Sequence, residues 1–164
     1  MKTNTLLYLI ATGLILFVFT ATNSFSQAWY ENWERYPQNP IMDGPVDWTD
    51  NFWGPIIIHE DDTYKMWFTS WEGAREIGYA ESEDGYSWEI HQSPIITAGT
   101  GNDWDYNKMA GVVLRIDDTL RMWYSGLESD WNPYRLGYAW SLDGIAWQLN
   151  EEPVFEEGAF PEIH

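Results

Sequence analysis

Ile77-Gly78-Tyr79-Ala80-Glu81-Ser82-Glu83-Asp84-Gly85-Tyr86-Ser87-Trp88 returns 59 positions later as Leu136-Gly137-Tyr138-Ala139-Trp140-Ser141-Leu142-Asp143-Gly144-Ile145-Ala146-Trp147. Upstream of it, Asp47-Trp48 through Asp61-Asp62-Thr63-Tyr64-Lys65-Met66-Trp67-Phe68 returns at 56, as Asp103-Trp104 through Asp117-Asp118-Thr119-Leu120-Arg121-Met122-Trp123-Tyr124. Self-similarity at such a period is the signature of a repeat architecture. The change from 56 to 59 places a three-residue insertion between Ser125 and Leu136.

Each repeat reads as four short strands. Residues 55–59 and 111–116 are apolar, β-branched runs suited to a strand covered on both faces. Residues 64–70 and 120–125 alternate with the period of two of a half-buried strand, residues 77–82 and 136–141 supply the third strand, and a short fourth begins at Trp88 and Trp147. Asp84-Gly85 and Asp143-Gly144 are hairpin signals. A four-stranded antiparallel unit recurring at this spacing is the blade of a β-propeller, so the expected class is all-β. The expected organisation is an outer strand over 29–40, one blade over 41–96, a second over 97–155 and the start of a third over 156–164, about two and a half blades. Trp67 and Trp123 hold equivalent central positions in the second strand of each blade and are expected to be core residues.

The N-terminus reads as a signal peptide over 1–26. Lys2 precedes the 16-residue apolar stretch from Leu6 to Ala21, shorter than the ~20 residues of a spanning helix, and small Ser24 and Ser26 suit cleavage after Ser26. The product, residues 27–164, is expected to be secreted or periplasmic, with no membrane association after cleavage. There is no Cys for disulfides or lipid attachment. The 26 acidic residues against 8 basic ones give a net charge of −18. Such a surface repels phosphate backbones and anionic membranes, which disfavours nucleic-acid partners. Neutral glycans remain compatible, and 12 Trp leave rings to spare for stacking.

The strings Tyr64-Lys65-Met66-Trp67-Phe68, Arg121-Met122-Trp123-Tyr124-Ser125-Gly126 and Gly137-Tyr138-Ala139-Trp140-Ser141-Leu142-Asp143-Gly144-Ile145-Ala146-Trp147 resemble the blade motifs of the five-bladed β-propeller glycosidases, which include arabinanases, β-xylosidases, levansucrases and invertases, with mannoside phosphorylases as relatives. The resemblance covers residues 33–164 and implies a complete member of roughly twice this length, since five blades follow from the period. It also implies that substrate enters on the face carrying the linker before each first strand and the loop between strands two and three.

On that face lie Asp47, Asp50, Asp103, Asp105 and Glu162, with Glu72, Glu76, Glu128 and Asp130 further out. In the resembled enzymes one carboxylate serves as base or nucleophile and a second as general acid. Glu162, Asp50 and Asp105 are the catalytic candidates here; Glu162 falls in the blade where arabinanase-like members carry their acid, two residues out of register. The Asp that these enzymes place before Pro at a strand head is missing: Gly54 and Ala110 stand there. That departure leaves two readings, a glycoside hydrolase-like protein without a complete active site, or a non-catalytic carbohydrate-binding or scaffold propeller. Trp48, Trp71, Asp103, Trp104 and Trp131 are the candidate substrate contacts. Recurrence of Trp48 as Trp104 also fits blade packing, whereas Trp131 lies in the unrepeated insertion. The pairs Asp61-Asp62 and Asp117-Asp118 repeat between strands one and two, where Asp favours turns. No metal or cofactor motif is present, and unpaired blade faces imply self-association.

Overall fold

The computed structural model describes residues 33–42, 46–100, 102–128 and 134–155. The expected signal peptide, the third-blade start at 156–164, Trp131 and Glu162 lie outside the described residues. The chain divides into two compact units, residues 1–39 and 40–164. In the first, residues 33–39 form no strand; a turn instead closes from the Asn39 N–H to the Tyr36 carbonyl (3.1 Å), where Pro37 lacks the N–H a strand would donate. The described part of the expected outer strand 29–40 is thus a turn and its flanks.

The second unit is all-β among the described residues, two four-stranded antiparallel meanders. Sheet 1 is β1 (Phe52–Glu60), β2 (Thr63–Glu72), β3 (Ala74–Ser82) and β4 (Glu89–Ile90); sheet 2 is β5 (Asn107–Ile116), β6 (Thr119–Leu127), β7 (Arg135–Ser141) and β8 (Trp147–Leu149). These are the two expected blades. The first strand of each starts three to four residues earlier than its apolar run. Pairing slips between Trp53 and Ile56 in β1 and between Met109 and Val112 in β5, so a bulge at Gly54-Pro55 and at Ala110-Gly111 lets the ladder continue through what reads in sequence as a breaker. Gly54 takes φ +59° there.

The Asp pairs are turn formers. Asp61 and Asp62 have φ of 49° and 60°, and Asp117 has 53°, the left-handed backbone that two-residue hairpin turns need and that Asp tolerates better than most residues. Glycine adopts it without strain. Asp62→Gly should therefore raise stability by about 0.5–1 kcal/mol, seen as a higher urea midpoint with unchanged slope; a lower midpoint would mean that the Asp62 side chain has a stabilising role. The Asp-Gly signals sit in longer loops. Asp84 accepts hydrogen bonds from the N–H groups of Tyr86 and Ser87 (2.7 Å each), and Asp143 from those of Ile145 and Ala146 (2.8 Å each). These bonds hold both carboxyls below the usual carboxylate range.

The sheets stack face to face, with β5 across β1, β2 and β3. The core between them comprises Trp67, Ile77 and Tyr79 from sheet 1 and Val113, Leu120, Met122, Tyr124, Ala139 and Trp147 from sheet 2. Trp67 is fully buried, donates its indole N–H to the Gly144 carbonyl (2.9 Å) and meets Trp147 edge-on at 6.0 Å. The other face of sheet 1 carries a smaller cluster, Met66, Phe68 and Ala80, covered by Met42, Trp48, Phe52, Trp88 and Ile90. Trp123 differs from the expectation for it. It faces the side of sheet 2 away from sheet 1, partly exposed, beside Val112 and Leu114 at 48% exposure each. Equivalent strand positions point to equivalent faces, and among the described residues only one of those two faces has a sheet stacked on it.

Candidate functional site

Antiparallel pairing puts the head of β1 beside the tail of β2, with Phe52 opposite Ser70, while the Asp61-Asp62 turn lies at the far end. The linker and the β2–β3 turn therefore share one end of the blade. That turn is Gly73 alone, at φ +92°, because Glu72 pairs directly with Ala74. In sheet 2 the same connection runs from 128 to 134 and holds the insertion.

Buried polar contacts fix the second blade against this end of the first. Asn107 Oδ1 accepts the Arg75 N–H (2.9 Å), and Thr69 Oγ1 accepts the Ala110 N–H (3.0 Å). Asn107 and Thr69 are both buried, so losing either partner would strand a desolvated polar group. Beside them opens a cleft of about 340 Å³ between the heads of β1 and β5 and the β2–β3 turn, walled by Asn51, Trp53, Trp71, Arg75, Met109 and Tyr134. Its rings are accessible: Trp53 is 60% exposed, Trp71 52% and Tyr134 58%. The Arg75 guanidinium lies 4.4 Å from the Trp71 ring centroid and holds that indole in place. Asn51 closes the polar rim, donating to the Asp50 carboxylate (2.5 Å), the Trp71 carbonyl (3.2 Å) and the Glu72 carboxylate (3.1 Å). Asp50 and Glu72 are thus brought together around one amide.

The other expected residues take different places. Trp48 stacks on Phe68 (6.0 Å, 16°) and donates to the His91 carbonyl; Trp104 stacks on Tyr124 (6.0 Å, 20°) and donates to the Glu151 carbonyl. Both tie the linker to the chain just past the fourth strand of their own blade. Asp103 accepts from Thr100 N–H (2.6 Å) and Thr100 Oγ1 (3.2 Å) within its loop. Asp105 accepts from Tyr124 Oη (2.7 Å) and pairs with Lys108 (3.5 Å), so both its oxygens are engaged inside the blade. Burial, then the bond to Asp105, pushes the Tyr124 phenol up. Lys108 and Asp105 stand where the first blade has Phe52 and Thr49, so a polar triad replaces the Phe52–Phe68 contact. Gly54 and Ala110 sit in the two bulges, with no carboxylate at either strand head. Among the described residues no group of three or more His, Asp or Glu is placed to hold a metal ion.

Sequence reasoning missed Trp53, Asn51, Arg75 and Tyr134. A signal for Trp53 was available, since its repeat counterpart is Met109 and an aromatic that breaks the repeat is not required by the blade. A notch of about 350 Å³ also lies beside the Asp84 loop, but Thr63, Ser82, Ser87 and the carboxylates of Glu81, Glu83, Asp84 and Glu89 line it, with no ring to receive an apolar face.

No family model matches the sequence, and no curated protein matches it. Solved structures do. A glycosyl hydrolase from Bacteroides ovatus superposes with a TM-score of 0.60 at 16% identity, over 71% of this chain and 40% of that one. A structure from work on the GH130 family of mannoside phosphorylases, which contains glycoside hydrolases that target beta-1,2 mannosidic linkages in Candida mannan, gives 0.62 at 16% identity over 76% and 42%. A family 117 glycoside hydrolase from Zobellia galactanivorans gives 0.52 at 14% identity over 60% and 37%. The chain spans about two-fifths of the length of these structures. Its two stacked meanders share the β-propeller fold with part of these glycoside hydrolase structures.

Proposed function

We propose that the chain is an exported carbohydrate-binding part of a glycoside hydrolase-like propeller, and that its cleft receives a neutral oligosaccharide. The observation that carries this reading is the placement of Trp53, Trp71 and Tyr134, three rings each more than half exposed around one polar rim, on the linker face of the blades. Pyranose rings present apolar C–H faces to such platforms and hydroxyls to amides and carboxylates, which Asn51, Asp50 and Glu72 supply. A chain of net charge −18 favours an uncharged ligand. Binding without turnover is the reading favoured for the described residues, because Gly54 and Ala110 can transfer no proton and both oxygens of Asp105 are engaged.

Titration with manno-, arabino-, xylo- and fructo-oligosaccharides, followed by calorimetry, tests it. At least one series should bind, and Trp71→Ala or Trp53→Ala should weaken that binding by about 1–3 kcal/mol, roughly 5- to 150-fold, with little change in melting temperature. Trp140→Ala, an exposed Trp on the open face of sheet 2, should bind like the wild type. Equal losses in all three variants would move the site elsewhere, and no binding in any series would remove the glycan reading.

A further inference from the structure

The rim of the cleft holds more acceptors than donors. The Asn51 amide nitrogen carries two hydrogens, yet three acceptors converge on it: Asp50 Oδ1 at 2.5 Å, Glu72 Oε1 at 3.1 Å and the Trp71 carbonyl at 3.2 Å. Glu72 Oε1 is shared again with the Asp50 N–H, at 3.4 Å. The remaining oxygens, Asp50 Oδ2 and Glu72 Oε2, take no bond from the described residues, and no Lys or Arg among those residues forms an ion pair with either carboxylate. Elsewhere the chain neutralises such groups: Glu60 is held by Arg115 (2.6 Å) and Lys65 (3.7 Å), and Asp105 by Lys108 (3.5 Å).

These residues are not demanded by the blade. Asp50, Trp53 and Trp71 stand where the second repeat has Tyr106, Met109 and Leu127, so three parts of one cleft break the repeat together. Their chemistry also agrees. The faces of Trp53, Trp71 and Tyr134 attract positive charge as well as polarised C–H groups, and Arg75 already uses Trp71 in this way, its guanidinium 4.4 Å from the ring centroid. The net charge of −18 that repels an anion draws a cation.

Resting on the saccharide reading of this cleft, we infer that the ligand it selects is an otherwise neutral oligosaccharide in which one sugar bears a free amino group. The apolar face of that sugar lies on the exposed indoles, and its ammonium group donates to Asp50 and Glu72. A hydroxyl at the same position brings one hydrogen and no charge, and an N-acetyl group likewise brings one. An ammonium brings three, and a charge-assisted bond is about twice as strong as a neutral one.

Calorimetric titration with chitotetraose freed of one acetyl group, against fully acetylated chitotetraose, tests the inference, since the two differ by a single ammonium group. The amine should bind at least about tenfold more tightly. In the double variant Asp50→Asn, Glu72→Gln, which keeps acceptors for Asn51, that advantage should fall below about threefold. In Asp62→Asn, Asp118→Asn, which removes the same charge from the turns at the far end of the blades and tolerates their left-handed backbone, it should persist. Glu72→Gln alone gives the same reading should the rim double variant not fold. Equal affinity for the two sugars, or an advantage that survives in the rim variant or vanishes in both variants, overturns the inference. Equal affinity leaves the glycan reading standing, whereas no binding to any sugar, the neutral series included, removes both.

Discussion

Trp67→Ala is expected to destabilise the chain by about 3–5 kcal/mol, a large part of the 5–15 kcal/mol that holds a typical domain together. The side chain is wholly buried at the centre of the core between the sheets, against Tyr79, Trp147 and Gly144, and no neighbouring backbone can collapse into the space it leaves. Trp67→Phe separates the ring from its N–H and should cost less, about 1–2 kcal/mol, because the Gly144 carbonyl keeps the bond from Trp147. Trp123→Ala should cost clearly less than Trp67→Ala, for its ring is only partly buried. Urea denaturation of the three variants decides the matter. Equal losses at positions 67 and 123 would mean that both faces are covered.

That pair also marks the limit of what the sequence could reveal. Strand number, antiparallel order and the insertion between β6 and β7 were legible, because a period of two inside a unit of 56 to 59 residues is a backbone property written into every repeat. Repetition hides whatever distinguishes one repeat from the next. Trp67 and Trp123 are the same residue at the same repeat position and differ in whether a described sheet lies against them. The strand heads were misjudged for a related reason: Gly54-Pro55 breaks a regular strand, but a bulge turns the same residues into a bend that keeps pairing. At the candidate site, Trp71 was legible from its place in the loop between strands two and three, while Trp53 was passed over as part of a linker. Recurring Trp48 and Trp104 carried both a packing and a ligand reading, and their stacking on Phe68 and Tyr124 supplies the packing partners.

Gly137→Ala should cost about 3 kcal/mol, although it adds a single methyl group to a strand. Gly78 and Gly137 hold the same place in β3 and β7, each under an aromatic ring on which the linker Trp stacks. A Cβ on Gly137 would lie 2.2 Å from Tyr124 Cζ, well inside contact distance. Neither side can yield easily. The strand is pinned by its pairing with β6 and β8, and the ring is fully buried against Trp104 with its hydroxyl bound to Asp105. Moving the ring would break the Tyr124–Asp105 bond and loosen the linker that carries Asp103, Trp104 and Asp105, so the damage reaches the ligand face as well as the core. A double-mutant cycle isolates the clash: in a Tyr124→Leu background, itself destabilised, Gly137→Ala should cost at least about 1 kcal/mol less than in the wild type, because the ring it strikes is gone. Additive losses would show that the methyl group strains something other than Tyr124, and the stack of Trp, ring and glycine would then not be what ties each linker to its blade.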